Sequence, residues 1–348
     1  MPRTRAQNYG VAAAVAAASY VAAKAALAFS RRYNFRDRVV VITGGSRGLG
    51  LVLARKLADE GAFLVLCARD ATELNDALQD LRRRTDFVEA YVCDLTQPAE
   101  IGRLFTRIRH EIGAVDVLIN NAGLIQVGPV EAMTLDDFHN AMLTHFWAPL
   151  LCMWQVLPGM RRRGQGRIVN IASIGGEIGV PHLAPYCASK FALNGMSQTY
   201  GAELAKDGIY VTTVCPGLMR TGSARNALFK GRHRAEYAWF SIGDAMPLIT
   251  MSAERAARQV LSACRYGRAR VTLSLPAKAA VVMNAIAPDM TAELSRLVAS
   301  VLPRFGGIGR NSAKGHNSES NWSPSMLTTL NERAAVRNNE VVPSCDGA

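Results

Sequence analysis

The fold is decided by the stretch VVVITGGSRGLG at residues 39–50. Its first five residues are β-branched, which is typical of a buried strand, and an apolar-periodic helix through Ala58 follows the glycines. Glycines at this point let the backbone turn sharply and approach a pyrophosphate, whose charge the next helix N-terminus stabilises. We therefore predict a phosphate-binding turn; the alternative is a purely structural glycine turn. The predicted contact residues are Thr43, Gly44, Ser46, Arg47, Gly48, Leu49 and Gly50.

From residue 38 onward, short β-branched runs alternate with helical stretches, which predicts a parallel sheet covered by helices. The fold class that this pattern indicates is α/β. We expect a doubly wound Rossmann fold with a seven-stranded parallel sheet, an N-terminal helix and a C-terminal helical extension. The predicted strands span residues 39–43, 63–68, 87–92, 115–120, 167–171, 209–215 and 271–275.

The chain divides by composition into four parts. Residues 1–35 form an Ala-rich helix, and residues 36–275 form the Rossmann domain. Residues 276–305 are a helical extension that contains two apolar helical stretches, at 277–287 and 290–302. Residues 306–348 are polar and rich in Gly, Ser and Asn, so we expect a poorly ordered tail.

Composition limits the class of protein. The 348 residues are 49% hydrophobic, enough for one large core. The seven cysteines form no CxxC pair and no cluster with zinc-ligand spacing, so we expect reduced thiols in the cytoplasm and neither a disulfide framework nor a metal site.

The net charge of +12 is concentrated at the N-terminus, where the first 40 residues hold seven basic side chains and one acidic one. Because the chain has no basic face interleaved with aromatics, we expect no nucleic-acid binding. Residues 10–29 are Ala-rich and about long enough to cross a bilayer. Three interpretations remain open: a cleaved signal peptide, an anchor on the cytoplasmic face of a membrane, and a helix lying on the protein or membrane surface.

The end of the second strand, Ala68-Arg69-Asp70, bears on the choice between NAD and NADP. An enzyme that prefers NAD usually has a carboxylate at this strand tip, where it binds the ribose diol. Here Ala68 stands at that position, Arg69 follows it, and Arg47 projects from the glycine turn. Two guanidinium groups suit a 2′-phosphate, so we predict that NADP(H) is preferred over NAD(H). In the alternative, Arg69 is a solvated loop residue and Asp70 caps a helix.

Further motifs follow the later strands in a fixed order. Tyr186 and Lys190 lie one turn apart on the same face of a helix. The ordered set closely resembles the short-chain dehydrogenase/reductase family over roughly residues 36–275. The motifs that carry the resemblance are Asn120-Asn121-Ala122-Gly123, Ser173, Tyr186-Cys-Ala-Ser-Lys190 and Cys215-Pro216-Gly217, with Thr221 beyond them.

The residue types in this set suit hydride transfer to a carbonyl, which builds negative charge on oxygen and needs a proton donor. A phenol has a pKa of about 10, so the Lys190 ammonium is needed to lower the pKa of Tyr186 toward the pH at which the enzyme works. Ser173 would donate a hydrogen bond to the substrate oxygen. The resemblance implies the same roles, and it adds that Lys190 holds the nicotinamide ribose.

The resemblance also implies further cofactor contacts. Asp94 touches the adenine, Asn121 and Gly123 line the groove, and Thr221 meets the carboxamide; the alternative for Asp94 is a simple turn residue. The remaining cofactor-binding residues implied by the motifs are Leu95, Ala122, Tyr186, Lys190, Pro216 and Gly217.

One position departs from the family pattern. Where the family usually has a catalytic asparagine, this chain has His145, which we take as a fourth catalytic candidate; the alternative is an ordinary core histidine. Pro149 has no N–H for the His145 carbonyl, so we expect a kinked helix that leaves this carbonyl free to hold a water of a proton relay.

The substrate is not fixed by these motifs beyond a small-molecule carbonyl or alcohol. Residues 225–240 combine basic and aromatic side chains, which would suit a lipid-like substrate with an acidic group; a solvated basic loop over an aromatic cluster is the alternative. We expect a homo-oligomer. The competing functional hypotheses are a non-catalytic NADP(H)-binding sensor or scaffold and a membrane-recruited structural protein.

Overall fold

The computed structural model describes residues 5–247 and 249–341. It contains a seven-stranded sheet in the order β7-β6-β5-β4-β1-β2-β3, and every neighbouring pair is parallel. This confirms the predicted doubly wound α/β fold. The strands are β1 (Val39–Thr43), β2 (Phe63–Ala68), β3 (Val88–Val92), β4 (Val117–Asn120), β5 (Gly166–Ile171), β6 (Ile209–Cys215) and β7 (Arg270–Thr272).

Helices connect the strands and extend both ends of the described chain. They are α1 (Arg5–Ser30), α2 (Gly48–Asp59), α3 (Ala71–Arg82), α4 (Pro98–Glu111), α5 (Leu135–Met142), α6 (Ala148–Arg163), α7 (Ala184–Leu204), α8 (His233–Ala245), α9 (Ala253–Arg265), α10 (Leu275–Ile286), α11 (Pro288–Val301) and α12 (Thr329–Arg337).

The last strand ends earlier than the sequence predicts. β7 stops at Thr272 because Ser274 takes a left-handed backbone conformation, with φ of 70°, and its hydroxyl accepts a hydrogen bond from Ala277 N. Ser274 therefore caps α10, which begins at Leu275. The apolar run that suggested a strand up to residue 275 is the end of β7 followed by the first turn of a helix.

Two apolar layers hold the sheet between its helices. On one face, Leu53 and Leu57 of α2 are fully buried with Val260 of α9. On the other face, Phe105 of α4 and Met153 of α6 pack against the strands.

The order of the strands reverses between β1 and β4. The carboxyl ends of these two strands therefore flank a crevice, which is the usual ligand site of such sheets.

The helix between β4 and β5 is distorted where Pro149 predicts a break. Residues Leu143–Trp147 form a wide π turn, in which Ala148 N bonds to the Leu143 carbonyl five residues earlier. α6 then starts with Pro149 in its first turn, where a missing N–H costs least. The chain carries His145 in the middle of this wide turn, which aims its ring into the protein.

The prediction of a poorly ordered tail is wrong for the described residues 306–341. Ala313–Lys314 pairs antiparallel with Leu228–Phe229, and α12 buries Ala335 completely. The composition does not predict this packing, because the segment is held by polar contacts rather than by an apolar face. For example, Gly222 N donates to Asn331 Oδ1 at 3.0 Å.

Helices α10 and α11 contrast with this core. α10 buries only Ala277 and α11 buries no residue, so both helices expose apolar side chains such as Ile286 and Val301.

A membrane-spanning helix is not found among the described residues, and α1 also falls short of the length and apolar character that a span needs. The six described cysteines are free and buried, and Cys345 lies outside the described residues.

Candidate active site

The glycine turn after β1 forms the floor of the crevice. Gly44 has a left-handed φ of 62°, and its N–H donates to the Cys67 carbonyl of β2 at 2.8 Å. A Cβ atom on Gly50 would lie 2.1 Å from the Gly44 carbonyl oxygen, so no side chain fits there. α2 begins at Gly48, and no side chain of Arg47 caps it. The turn is therefore tight, and it presents the α2 N-terminus to the crevice.

The turn after β4 is tied to the glycine turn by four hydrogen bonds. The Thr43 hydroxyl accepts from Asn121 N at 3.0 Å and from Ala122 N at 3.1 Å. The Asn121 side-chain amide donates to the carbonyls of Thr43 and Gly44, at 3.2 and 2.9 Å. Residues predicted from two separate motifs thus lie together at the switch point of the sheet.

Ser173, Tyr186 and Lys190 lie together beside this crevice. Ser173 follows β5, and it flanks Gly175 together with Tyr186: a Cβ on this glycine would lie 3.5 Å from Ser173 Oγ and 3.3 Å from Tyr186 Cε1. Lys190 is buried, with its Nζ 5.7 Å from the centre of the Tyr186 ring, and it donates to the Ile171 carbonyl at 2.8 Å. The three side chains that the sequence singles out are therefore brought into one place.

Burial dominates the acid–base properties of this trio. It raises the pKa of Tyr186 to about 12 and lowers the pKa of Lys190 to about 7, because both charged forms lose hydration. This differs from the expectation that the Lys190 ammonium brings Tyr186 into the working range. In the described state Tyr186 is a neutral phenol at pH 7, the protonation state that a proton donor needs.

His145 connects the loop after β4 to the helix that carries Tyr186. Its Nε2 accepts from Leu124 N at 3.0 Å, and its Nδ1 lies 2.8 Å from Ser189 Oγ, which in turn donates to the Tyr186 carbonyl at 2.8 Å. Both contacts are met only by a neutral ring with its proton on Nδ1. Complete burial, and then the charge of Lys190, hold the pKa of His145 well below its usual value, which agrees with this form.

Some predicted cofactor residues have structural partners. Asp94 Oδ1 accepts hydrogen bonds from the backbone N and the hydroxyl of Thr96, at 3.0 and 2.8 Å. Asp94 therefore orders the loop after β3, which is the alternative in which it is a simple turn residue. Leu95 is buried beside it. The Pro216 carbonyl accepts from Ile174 N at 2.7 Å, which joins the loops after β5 and β6. A Cβ on Gly217 would lie 3.0 Å from the Ala277 Cβ, so this loop packs closely against α10.

The two arginines expected at a 2′-phosphate differ in their surroundings. Arg69 is exposed at the tip of β2. Arg47 forms an ion pair with Glu73 at 2.7 Å, and its charge is thus already balanced. Asp70 caps α3 by accepting from Glu73 N at 2.9 Å, as the alternative for Asp70 states. The sequence analysis missed Glu73, although an acid three residues after a capping Asp is typical of a helix start.

The sequence analysis also missed residues 338–340, which lie on the glycine turn. Gly48 N donates to the Asn338 carbonyl at 2.8 Å, and Asn338 Nδ2 donates to the Thr221 carbonyl at 3.2 Å. The Glu340 carboxylate lies 3.4 Å from Arg47 Nε and is 2.6 Å from the position that a Cβ on Gly48 would take. No motif signals these contacts, because they join positions that lie 117 to 293 residues apart along the chain.

Two cations of residues 225–240, the segment that combines basic and aromatic side chains, have acidic partners. Arg225 pairs with Glu332 at 2.9 Å, and buried Lys230 pairs with Asp137 at 2.5 Å. These partners balance the charges of Arg225 and Lys230, whereas Arg232 and Arg234 of the same segment are exposed. The alternative of a solvated basic loop over an aromatic cluster is therefore met in part, because Lys230 is buried. The cluster comprises Phe229, Tyr237 and Phe240.

The crevice fits a dinucleotide by its chemistry. It offers a helix N-terminus without a side-chain cap and a glycine at residue 48, whose missing side chain leaves space that a carboxylate fills here. On one side it has the buried Lys190 next to the half-buried Tyr186. Within residues 5–247 and 249–341 no cluster of His, Cys, Asp and Glu has the make-up of a metal site.

Comparisons with known proteins agree with this geometry. The family model for short chain dehydrogenase matches residues 38–230. The dehydrogenase/reductase SDR family member 7B of Bos taurus is 34% identical over 276 residues, which cover 77% of this chain and 82% of the relative.

Two solved structures that resemble the chain carry a nicotinamide cofactor. One is a gluconate 5-dehydrogenase from Burkholderia cenocepacia in complex with NADP and tartrate, which superposes with a TM-score of 0.62 at 26% identity. The match spans 71% of this chain and 98% of the dehydrogenase. A variant of actinorhodin polyketide ketoreductase with NADPH has a TM-score of 0.61 at 32% identity, with 69% and 95% covered. The chain therefore belongs to the short-chain dehydrogenase family, and it is a NAD(P)-dependent oxidoreductase acting on carbonyl or CH–OH groups.

Proposed function

We propose that this protein reduces a small carbonyl compound, or oxidises the corresponding alcohol, with NADP(H) and with Tyr186 as the general acid and base. The observation that carries the proposal is the grouping of the three side chains: Lys190 Nζ lies 5.7 Å from the centre of the Tyr186 ring, and Ser173 and Tyr186 flank Gly175. A bound nicotinamide supplies the hydride for reduction. The protein must then bind the substrate oxygen, orient it and give it a proton.

Each of the three side chains has a distinct part in that task. The Tyr186 hydroxyl is the proton donor in the reductive direction, because its raised pKa keeps it protonated at neutral pH. Ser173, which flanks Gly175 together with Tyr186, donates a hydrogen bond to the substrate oxygen and shares its developing charge. Lys190 is held by the Ile171 carbonyl at 2.8 Å, with its ammonium on the Tyr186 side of α7, where it stabilises the phenolate left after proton transfer.

His145 is a positioning residue in this proposal. Its ring reaches the Tyr186 carbonyl through Ser189 Oγ and holds Leu124 N with its other nitrogen, so it fixes α7 relative to the loop after β4. It lies edge-on to the Tyr186 ring with the ring centres 5.3 Å apart. The water relay through the His145 carbonyl stays a prediction.

Residues 225–240, with their aromatic cluster, suit an apolar substrate better than an acidic one. Arg225 and Lys230 are paired with acids, whereas Trp239 packs on the aromatic cluster and bonds Glu236 through its indole nitrogen at 2.6 Å. A lipid-like carbonyl compound is therefore our proposed substrate class. Membrane attachment through residues 10–29, a cytoplasmic location and homo-oligomer formation also stay predictions.

The first prediction separates an enzyme from a non-catalytic cofactor-binding protein. Tyr186→Phe should lower kcat for carbonyl reduction by about 10²–10⁴-fold, because only the proton donor is lost, while NADPH binding changes less than about threefold. Tyr200→Phe is the matched control on the same helix, since its hydroxyl contacts only Trp154 Nε1. A panel of carbonyl compounds with NADPH, followed at the nicotinamide absorbance, provides the measurement. Turnover by Tyr186→Phe at the parent rate would contradict the assignment.

The second prediction concerns cofactor preference. NADPH should bind at least about tenfold more tightly than NADH, a difference of about 1.4 kcal/mol, and Arg69→Ala should remove most of that difference. Glu73→Gln should strengthen NADPH binding, because it frees Arg47 from its ion pair. Arg82→Ala, an exposed cation at the far end of α3, is the control for net charge. Equal dissociation constants for the two cofactors in titration calorimetry would show that the preference is absent.

The third prediction tests His145 as a positioning residue. His145→Ala leaves Leu124 N without its buried acceptor, which costs about 1–3 kcal/mol, and it should lower kcat more than it raises KM because α7 loses its support. His145→Asn restores an acceptor and should retain most of the turnover. If His145→Ala unfolds more easily but the folded fraction keeps the parent kcat, the residue is an ordinary core histidine.

A further inference from the structure

The C-terminal segment, defined as residues 329–341, is anchored beside the crevice. A Cβ on Gly222 would lie 2.3 Å from the Ala335 Cα, so α12 packs directly on the loop after β6. Asn331 accepts from Gly222 N, and Glu332 pairs with Arg225 at 2.9 Å. These contacts bring the end of the segment onto the glycine turn.

Residues 338–340 bind groups that are otherwise suited to a pyrophosphate. The Asn338 carbonyl takes the Gly48 N–H, the first of α2, and the Glu340 carboxylate lies beside the same glycine. Asn339 Nδ2 donates to the carbonyls of Ser46 and Glu73, at 3.1 and 3.0 Å. An acidic side chain at a helix N-terminus occupies the position that favours an anion.

The cofactor and residues 338–340 therefore compete for the same atoms. Gly48 N has one hydrogen to donate, and the space left by the missing Cβ of Gly48 holds Glu340. Arg47, a predicted cofactor contact, is already close to Glu340 at 3.4 Å, and Thr221 already binds Asn338. Two anions cannot share this helix end, so one occupant excludes the other.

We propose that the C-terminal segment is an internal competitor of the dinucleotide, and that the cofactor binds by displacing residues 338–340 from the glycine turn. The proposal rests on the proposed use of this crevice for NADP(H). A competitor attached to the chain lowers the apparent affinity in proportion to the fraction of molecules in which the crevice is open. α12 can stay docked on α8 and on the loop after β6, since its anchors lie outside the glycine turn.

The contacts of residues 338–340 are suited to reversible release. They are polar, so water replaces them when they break, and little apolar surface is exposed. Glu340 is buried with only Arg47 as a charged partner of opposite sign, while Glu73 repels it, and burial raises the pKa of Glu340 to about 7. Burying this carboxylate offsets part of the gain from the hydrogen bond that it accepts from Asn226 Nδ2.

The test uses the full chain and an uncharged substitution. Asn339→Gly removes two side-chain hydrogen bonds and keeps the left-handed backbone of this residue, with φ of 58°, at no steric cost. The dissociation constant for NADPH, measured by titration calorimetry, should fall at least about fivefold. The control is Asn311→Gly, at an exposed loop position before the C-terminal segment, which should leave the dissociation constant for NADPH unchanged. An unchanged or higher dissociation constant for Asn339→Gly would overturn the proposal.

Hydrogen exchange of the parent protein provides a readout independent of activity. Adding NADPH should speed exchange in residues 338–341 and slow it in residues 44–50. If NADPH slows exchange in both, the segment closes over the cofactor and the proposed competition is wrong. If NADPH and NADH bind neither the parent nor Asn339→Gly, the proposed function itself fails, and the competition with it.

Discussion

The site depends on the close approach of two backbone turns at the carboxyl ends of β1 and β4. Thr43 and Asn121 hold these turns together with four hydrogen bonds, all between 2.9 and 3.2 Å. Glycine at residue 50 is required because any Cβ would meet the Gly44 carbonyl. This contact sets where α2 begins and thereby where its N–H groups point. It also fixes the loop that carries Leu124, to which His145 binds.

A second constraint follows from burial. Burial raises the pKa of the half-buried Tyr186 to about 12, lowers the pKa of Lys190 to about 7 and holds the pKa of His145 well below its usual value, because each charged form loses hydration. With a pKa of about 7, Lys190 still carries its charge in a large share of the molecules at neutral pH. Neutral forms suit the imidazole, which accepts from Leu124 N, and the phenol, which gives up a proton in the proposed reaction. The hydrogen bonds of His145 then tie the position of Tyr186 on α7 to the loop after β4.

The sequence predicts most of the fold because the glycine turn and the β-branched runs are local signals. Tyr186 and Lys190 are predictable for the same reason, since their spacing is that of one helical turn. The tail was not predictable: it is polar, so the usual signal of burial is missing, and it is held by contacts such as that of Glu340 with Arg47. The ion pair of Arg47 with Glu73 also depends on how two helix starts meet in space.

The most direct test of the account is the fate of the hydride. NADPH that carries deuterium at both positions of the nicotinamide C4 would be incubated with the protein and a carbonyl compound that it reduces. The account predicts an alcohol product with one deuterium on the former carbonyl carbon, as measured by mass spectrometry. An alcohol formed without deuterium, or binding of NADPH with no reduction of any carbonyl compound, would contradict it.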